Sequence, residues 1–171
     1  NIYYQINPNA GSTFDGSAAK WVVNNQNANS FVYTDASLVK FGELSGNGKV
    51  GAKNTAGSTL EVGALGTNST FSGILLNNTF GGTLAFTKVG TGTMALTGNN
   101  TYTGTTTITA GTFTVSGTLS DSTAVTVASG ATYSLGHNDT IASIAGAGTI
   151  ALNSYTLTVG DANDTSLAGV I

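Results

Sequence analysis

The chain has 171 residues, of which only 8% are charged: five Lys, no Arg and eight acids, for a net charge of −3. That is roughly a third of the ~25% usual in globular domains, so hydration falls to Thr, Ser and Asn side chains. Five scattered Lys exclude the clustered cations that nucleic acid demands, and the absence of Cys excludes disulfides, thiol catalysis and thiolate metal sites.

The first residues, from Asn1, hold no basic leader followed by an apolar stretch, and no run approaches the ~18 apolar residues of a spanning helix. The chain therefore reads as a soluble fragment or mature form. Residues 1–35 hold the one Pro (Pro8), the one Trp (Trp21) and Tyr3, Tyr4, Phe14, Phe31 and Tyr33. This aromatic-rich segment fits no clear repeat, and two readings stand open: a cap over an exposed solenoid end, or a partial preceding repeat.

From residue 36 onward the apolar residues recur at period two, and Gly, Thr, Asn and Ser, all weak helix formers, dominate. Strands are expected at Thr105–Thr109, Thr112–Val115, Ala124–Val127 and Tyr155–Val159. Phe113 and Val115 take one face of theirs, and Thr112 and Thr114 the other. Gly98-Asn99-Asn100, Ala110-Gly111, Ser116-Gly117 and Ser129-Gly130 lie between strands as turns, where Gly and Asn tolerate positive φ.

A longer correspondence also runs through 36–171. Phe41, Leu44, Gly46, Gly48 and Val50 return one hundred positions later as Ile141, Ile144, Gly146, Gly148 and Ile150. Leu60-Glu61-Val62-Gly63 returns as Leu157-Thr158-Val159-Gly160, and Phe71-Ser72-Gly73-Ile74 as Leu167-Ala168-Gly169-Val170. Region 36–171 thus reads as one and a third copies of a ~100-residue repeat within a longer array. Many short strands with tight corners point to a single-stranded parallel β-helix rather than a sandwich. At roughly 20–25 residues per coil and ~4.8 Å of rise, seven or eight coils are expected. Apolar side chains would stack inward, with turn Asn in amide ladders.

The stretch Thr87-Lys88-x-Gly90-Thr91-Gly92-Thr93-x-x-Leu96-Thr97-Gly98-x-Asn100-Thr101-Tyr102-Thr103-Gly104, followed by Thr106-x-Ile108-x-Ala110-Gly111-Thr112-Phe113, closely resembles the passenger-associated β-strand repeat of bacterial autotransporters. The likeness covers about 40–171, and Thr105 departs from it where the family often has a second Gly. The resemblance implies a right-handed parallel β-helix passenger, exported across a Gram-negative outer membrane by a C-terminal barrel. Residues 1–171 contain no such barrel.

Several motifs invite chemistry. Gly46-Asn47-Gly48-Lys49-Val50-Gly51 spells G-x-G-x-x-G, but a dinucleotide site needs a helix after it, and none is signalled. Asp161-Ala162-Asn163-Asp164 offers clustered oxygens, too few for calcium, and the sister loop 64–68 has no acid. His137 sits beside Asp139, with Ser134 and Ser143 nearby, in what reads as an exposed corner. The acids Asp15, Asp35, Glu43, Glu61, Asp121, Asp139, Asp161 and Asp164 are spread along the chain, and only Asp161 and Asp164 are close enough in sequence to suggest a two-carboxylate mechanism. The Thr-x-Thr runs suit an ice-binding solenoid, yet Thr is also what β-propensity selects, and the runs are irregularly spaced. Asn68, Asn78, Asn99, Asn138 and Asn163 head Asn-x-Ser/Thr triplets, read here as corner Asn before strand Thr.

No catalytic, cofactor-binding or metal-binding residue is assigned. The expected function is that of a non-enzymatic β-helical stalk or passenger segment of an adhesin-like protein at the bacterial surface. It would act by multivalent contact with cell-surface glycans or proteins, or by self-association. The alternatives are a self-assembling extracellular filament and a polysaccharide-active β-helix enzyme. Neither nucleic-acid binding nor membrane insertion is expected.

Overall fold

The computed structural model describes residues 3–6, 12–24, 31–77, 81–160 and 168–171. Among them are strands and no helix. In chain order the strands are β1 (Tyr3–Ile6), β2 (Thr13–Val22), β3 (Phe31–Thr34), β4 (Leu38–Ser45), β5 (Lys49–Ala52) and β6 (Ser58–Val62). There follow β7 (Ser69–Phe71), β8 (Ile74–Leu76), β9 (Leu84–Lys88), β10 (Thr93–Leu96), β11 (Thr106–Ile108) and β12 (Thr112–Val115). The last are β13 (Ala124–Val127), β14 (Thr132–Leu135), β15 (Asp139–Ile141), β16 (Ser143–Gly146), β17 (Thr149–Ala151) and β18 (Leu157–Val159).

Pairing between these strands is parallel throughout. The seven-stranded sheet runs β16-β13-β11-β9-β6-β4-β2 and the five-stranded sheet β17-β14-β12-β10-β7. The chain visits these faces in rotation, one strand of the seven-stranded sheet per coil, so seven coils are stacked. Coil length varies: Thr106 pairs with Val125, 19 residues on, while Thr59 pairs with Ala85, 26 residues on. This is the expected parallel β-helix. Corners absorb the variation in length and the ladders keep register.

The third face is less regular. It begins as the four-stranded sheet β1-β3-β5-β8 and ends as the pair β15-β18. Between them no strand forms, yet the ladder continues. Thr101 N donates to Leu75 O at 2.9 Å, Asn100 N to Thr118 O at 2.9 Å, and Leu119 N to the Asp139 carboxylate at 3.2 Å.

Period-two alternation sends every second side chain inward. Val39, Leu60, Phe86, Thr106, Val125 and Ile144 follow one another in register on the seven-stranded sheet and are all buried. Met94, Phe113, Tyr133 and Ile150 do the same on the five-stranded sheet. Phe86 stacks on Phe113 at 5.1 Å between ring centroids, and Phe113 on Tyr133 at 6.2 Å. Each such ring, removed from water, stabilises the fold by ~1.5–3 kcal/mol.

The described part of 1–35 extends the sheets. β1 pairs with β3, β2 with β4 and β3 with β5, with a register shift in β2 between Gly16 and Lys20. Trp21 lies flat on Phe41 at 4.6 Å and meets the edge of Phe14 at 5.4 Å, and its indole N–H donates to Gly16 O at 3.1 Å. Pro8 lies outside the described residues.

The hundred-residue correspondence does not map face onto face. Leu44 and Ile144 share the seven-stranded sheet, but Val50 lies in the four-stranded sheet and Ile150 in the five-stranded one. Leu60 and Val62 are buried in β6, whereas Val159 in β18 is 43% exposed.

Candidate functional site

The outer surface of the five-stranded sheet carries an ordered polar array. Thr93 pairs with Thr112, Thr112 with Thr132 and Thr132 with Thr149, so four successive coils each place Thr at one outward position. The next outward column, two residues on, reads Thr70, Ala95, Thr114, Ser134 and Ala151. The irregular spacing expected from the sequence is thereby corrected, because the coils differ in length at their corners and not along their strands.

No charged side chain belongs to either column. The amides of Thr112, Thr132 and Thr149 are consumed by carbonyls of the preceding coil, Gly92, Gly111 and Ala131. Among the described residues the hydroxyls of Thr93, Thr112, Thr132 and Thr149 make no hydrogen bond within the protein. Elsewhere Thr hydroxyls are used internally: Thr123 donates to Tyr102 O at 3.0 Å, and Thr109 to Lys88 O at 2.9 Å.

The seven-stranded sheet carries a contrasting column, Asp15, Lys40, Glu61, Thr87, Thr107 and Thr126 in register. Its charges concentrate at the N-terminal end, where Lys40 pairs with Glu61 at 3.6 Å and, three residues further along β4, Glu43 pairs with Lys20 at 3.0 Å. The Thr67 hydroxyl, 2.5 Å from Glu43, and then Lys20 hold that carboxyl below its usual range. Hydrogen bonds from Ser17 do the same for Asp15.

Coil stacking brings together two acids that sequence distance had kept apart. Asp121 and Asp139 line one open concavity of ≈ 470 Å³ with Thr118, Asn138, Thr156 and Thr158. Burial raises the Asp139 carboxyl above its usual range, against the lowering effect of the Leu119 and Thr140 amides. His137 stands exposed at this corner with Nδ1 2.6 Å from Asn138 O. Ser134 accepts from the Asn153 amide at 3.1 Å and Ser143 is buried in β16. The cluster Asp161–Asp164 lies outside the described residues, as do Asn78 and Asn163. Gly46 to Gly51 is a corner running into β5, with no helix after it. Asp35 faces Lys53 at 3.4 Å. No group of three or more potential metal ligands occurs among the described residues.

Two internal residues escaped sequence reasoning. Lys88 occupies an inward position in register between Val62 and Ile108, and only 1% of it is exposed. Its ammonium donates to three corner carbonyls, Val89 O at 2.7 Å, Gly90 O at 2.8 Å and Ala110 O at 3.3 Å. Burial lowers its pKa to about 8. Its parity with Leu84 and Phe86 was the available signal. Asn100, also buried, accepts from Leu75 N at 2.9 Å and donates to Gly98 O at 2.9 Å and Thr118 O at 3.1 Å. Corner Asn here mostly bind backbone rather than each other: Asn68 accepts from Thr93 N and Asn138 from Thr156 N. That replaces the expected amide ladder by side chains that complete the backbone ladder of a neighbouring coil.

Neither the curated proteins nor the solved structures compared with the chain gave a match. Among protein families, the passenger-associated-transport-repeat matches residues 86–115. The match begins at the core ring Phe86, contains Lys88 and Asn100, and ends with β12. Residues 86–115 thus match the passenger-associated-transport-repeat, which supports an autotransporter passenger repeat, wound here as part of a parallel β-helix.

Proposed function

We propose that the chain is a structural, non-catalytic passenger segment of an adhesin-like autotransporter, exported to the Gram-negative cell surface or beyond it. It acts by multivalent contact along its side, with cell-surface glycans or proteins as partners. The observation that carries this reading is the in-register column Thr93, Thr112, Thr132 and Thr149, repeated without charge over four coils. A single hydroxyl contact is weak, with a net worth of ~0.5–1.5 kcal/mol. A column offers the same contact on every rung, so engagement after the first is effectively intramolecular.

The test compares this chain with a tandem of two copies, each immobilised on beads, for retention on glycan-coated and protein-coated surfaces at 25 °C. Retention should rise more than in proportion to copy number and fall for Thr112→Lys. No retention by either form on any such surface would sink the adhesive reading.

A further inference from the structure

The sequence offered Thr-x-Thr runs whose irregular spacing argued against an ice-binding face, and the coil stacking removes that objection. We propose that the five-stranded face binds ordered water, the surface of an ice crystal. This rests on the reading that the side of the coil is a contact surface, and it names the partner of that surface.

Four observations carry it. First, the register from β7 through β10, β12 and β14 to β17 holds without a shift, although the intervening corners differ in length. Parallel strands lie about 4.8 Å apart and alternate residues about 6.6 Å apart along each strand. The outward side chains therefore form a two-dimensional lattice with spacings of the order of oxygen repeats in ice.

Second, the lattice points are small: Thr at Thr93, Thr112, Thr132 and Thr149, and Thr, Ala or Ser in the neighbouring column. β-Propensity would accept Val, Ile or Tyr equally well at these places. None occurs. Third, the four Thr hydroxyls have no hydrogen-bond partner among the described residues, while the amides behind them are bonded to the preceding coil. Each hydroxyl is free to take a water position.

Fourth, the face lacks what other partners require. A tight, buried protein interface would need aromatic or Arg anchors at its centre, so any protein contact on this face is of the weak, multivalent kind. An anionic partner such as nucleic acid would need cations to displace counterions. No charged side chain lies in either outward column of this face. A neutral lattice of hydroxyls and methyls fits a partner that is itself a neutral hydrogen-bonding lattice.

The chain is placed on a slowly growing ice shell, and the fraction entering the ice is compared with that of an inert protein; single-crystal shape is observed in parallel. The wild type should enter the ice and facet the crystal. Thr112→Lys and Thr132→Lys should fall to the level of the inert protein, while Thr101→Lys, at an exposed corner off this face, should behave as wild type. If far-UV circular dichroism shows either Lys variant unfolded, the strand-compatible Thr112→Tyr and Thr132→Tyr replace them. Exclusion of the wild type from ice overturns the proposal, as does equal behaviour of the Thr101 and Thr112 variants. A chain that is retained on cell-surface coats at 25 °C yet excluded from ice overturns this inference alone and leaves the adhesive reading standing.

Discussion

Asn100 shows how one side chain can replace a strand. The third face has no strand between β8 and β15, so Leu75 N–H would lack a partner there without the Asn100 side chain, and Gly98 O would lose its donor. Asn100→Ala should destabilise the chain by about 1–3 kcal/mol, since the buried Leu75 amide is left unpaired, while Thr118 C=O keeps the Asn100 backbone N–H. Asn100→Asp should be no better, because it turns two donors into acceptors aimed at carbonyls. Chemical denaturation measures both; an alanine variant as stable as wild type would show that water takes over the role. Lys88 is the other case. Removing it orphans three carbonyls, so Lys88→Met should cost about 2–4 kcal/mol despite deleting a buried charge. Its folded pKa of about 8 lies below the ordinary lysine value of 10.5. As pH rises from about 8 to 9.5 the folded chain releases this proton while the unfolded chain keeps it. The unfolded state then binds more protons, so stability rises with pH, by roughly 2 kcal/mol over that window. The rise should be present in wild type and absent in Lys88→Met, as read from urea titrations at fixed ionic strength.

At the scale of elements, strands and the positions of several corners, such as Ala110-Gly111 and Ser129-Gly130, were legible, but the geometry of the corners was not. Thr112-Phe113-Thr114-Val115 alternates cleanly and forms β12 with Phe113 and Val115 buried. Lys88 follows the same alternation, but a charge at an inward position looks like an outward one until the carbonyls that receive it are visible. Asp121 and Asp139 likewise meet only because one coil separates them, and coil length is set by corners whose geometry is not periodic. β2 was hidden for another reason: its ten residues carry a register shift, which breaks the period-two pattern that betrays a strand. The Gly at one corner shows what the corners require. A Cβ at Gly98 would lie 1.9 Å from Gly73 O, and one at Gly117 would lie 2.1 Å from Gly98 O, so successive coils touch through bare backbone. Gly98→Ala should therefore push two coils apart and lower the melting temperature. Gly130→Ala has open space around its Cβ but a φ of 80°, so its cost is limited to the left-handed conformation, about 1 kcal/mol. Melting curves should rank Gly98→Ala well below Gly130→Ala.

Across the whole molecule each coil touches only its neighbours, so stability is a chain of local terms rather than one shared core. Phe113 is the point at which this is best tested. It lies between Met94 and Tyr133 in the ladder and stacks on Phe86, so it joins consecutive coils in the middle of the stack. Phe113→Ala should cost about 3–5 kcal/mol through lost burial and the cavity left behind. In a globular domain that loss would shift the unfolding midpoint and leave the slope unchanged. In a linear stack it also weakens the link between the coils on either side, which can then unfold separately. The transition should broaden and its apparent m-value fall, and amide exchange should report lower protection for β14–β17 than for β4–β9, or the reverse, but no longer a common value. A sharp transition with the wild-type slope would mean that the coils unfold as a unit, held by something longer in range than nearest-neighbour packing. Charge is no candidate for that role, since the ion pairs Lys20–Glu43, Lys40–Glu61 and Lys53–Asp35 are partly exposed and such pairs contribute ~0–1 kcal/mol each. Cooperativity would then have to travel along the continuous hydrogen-bonded ladders themselves.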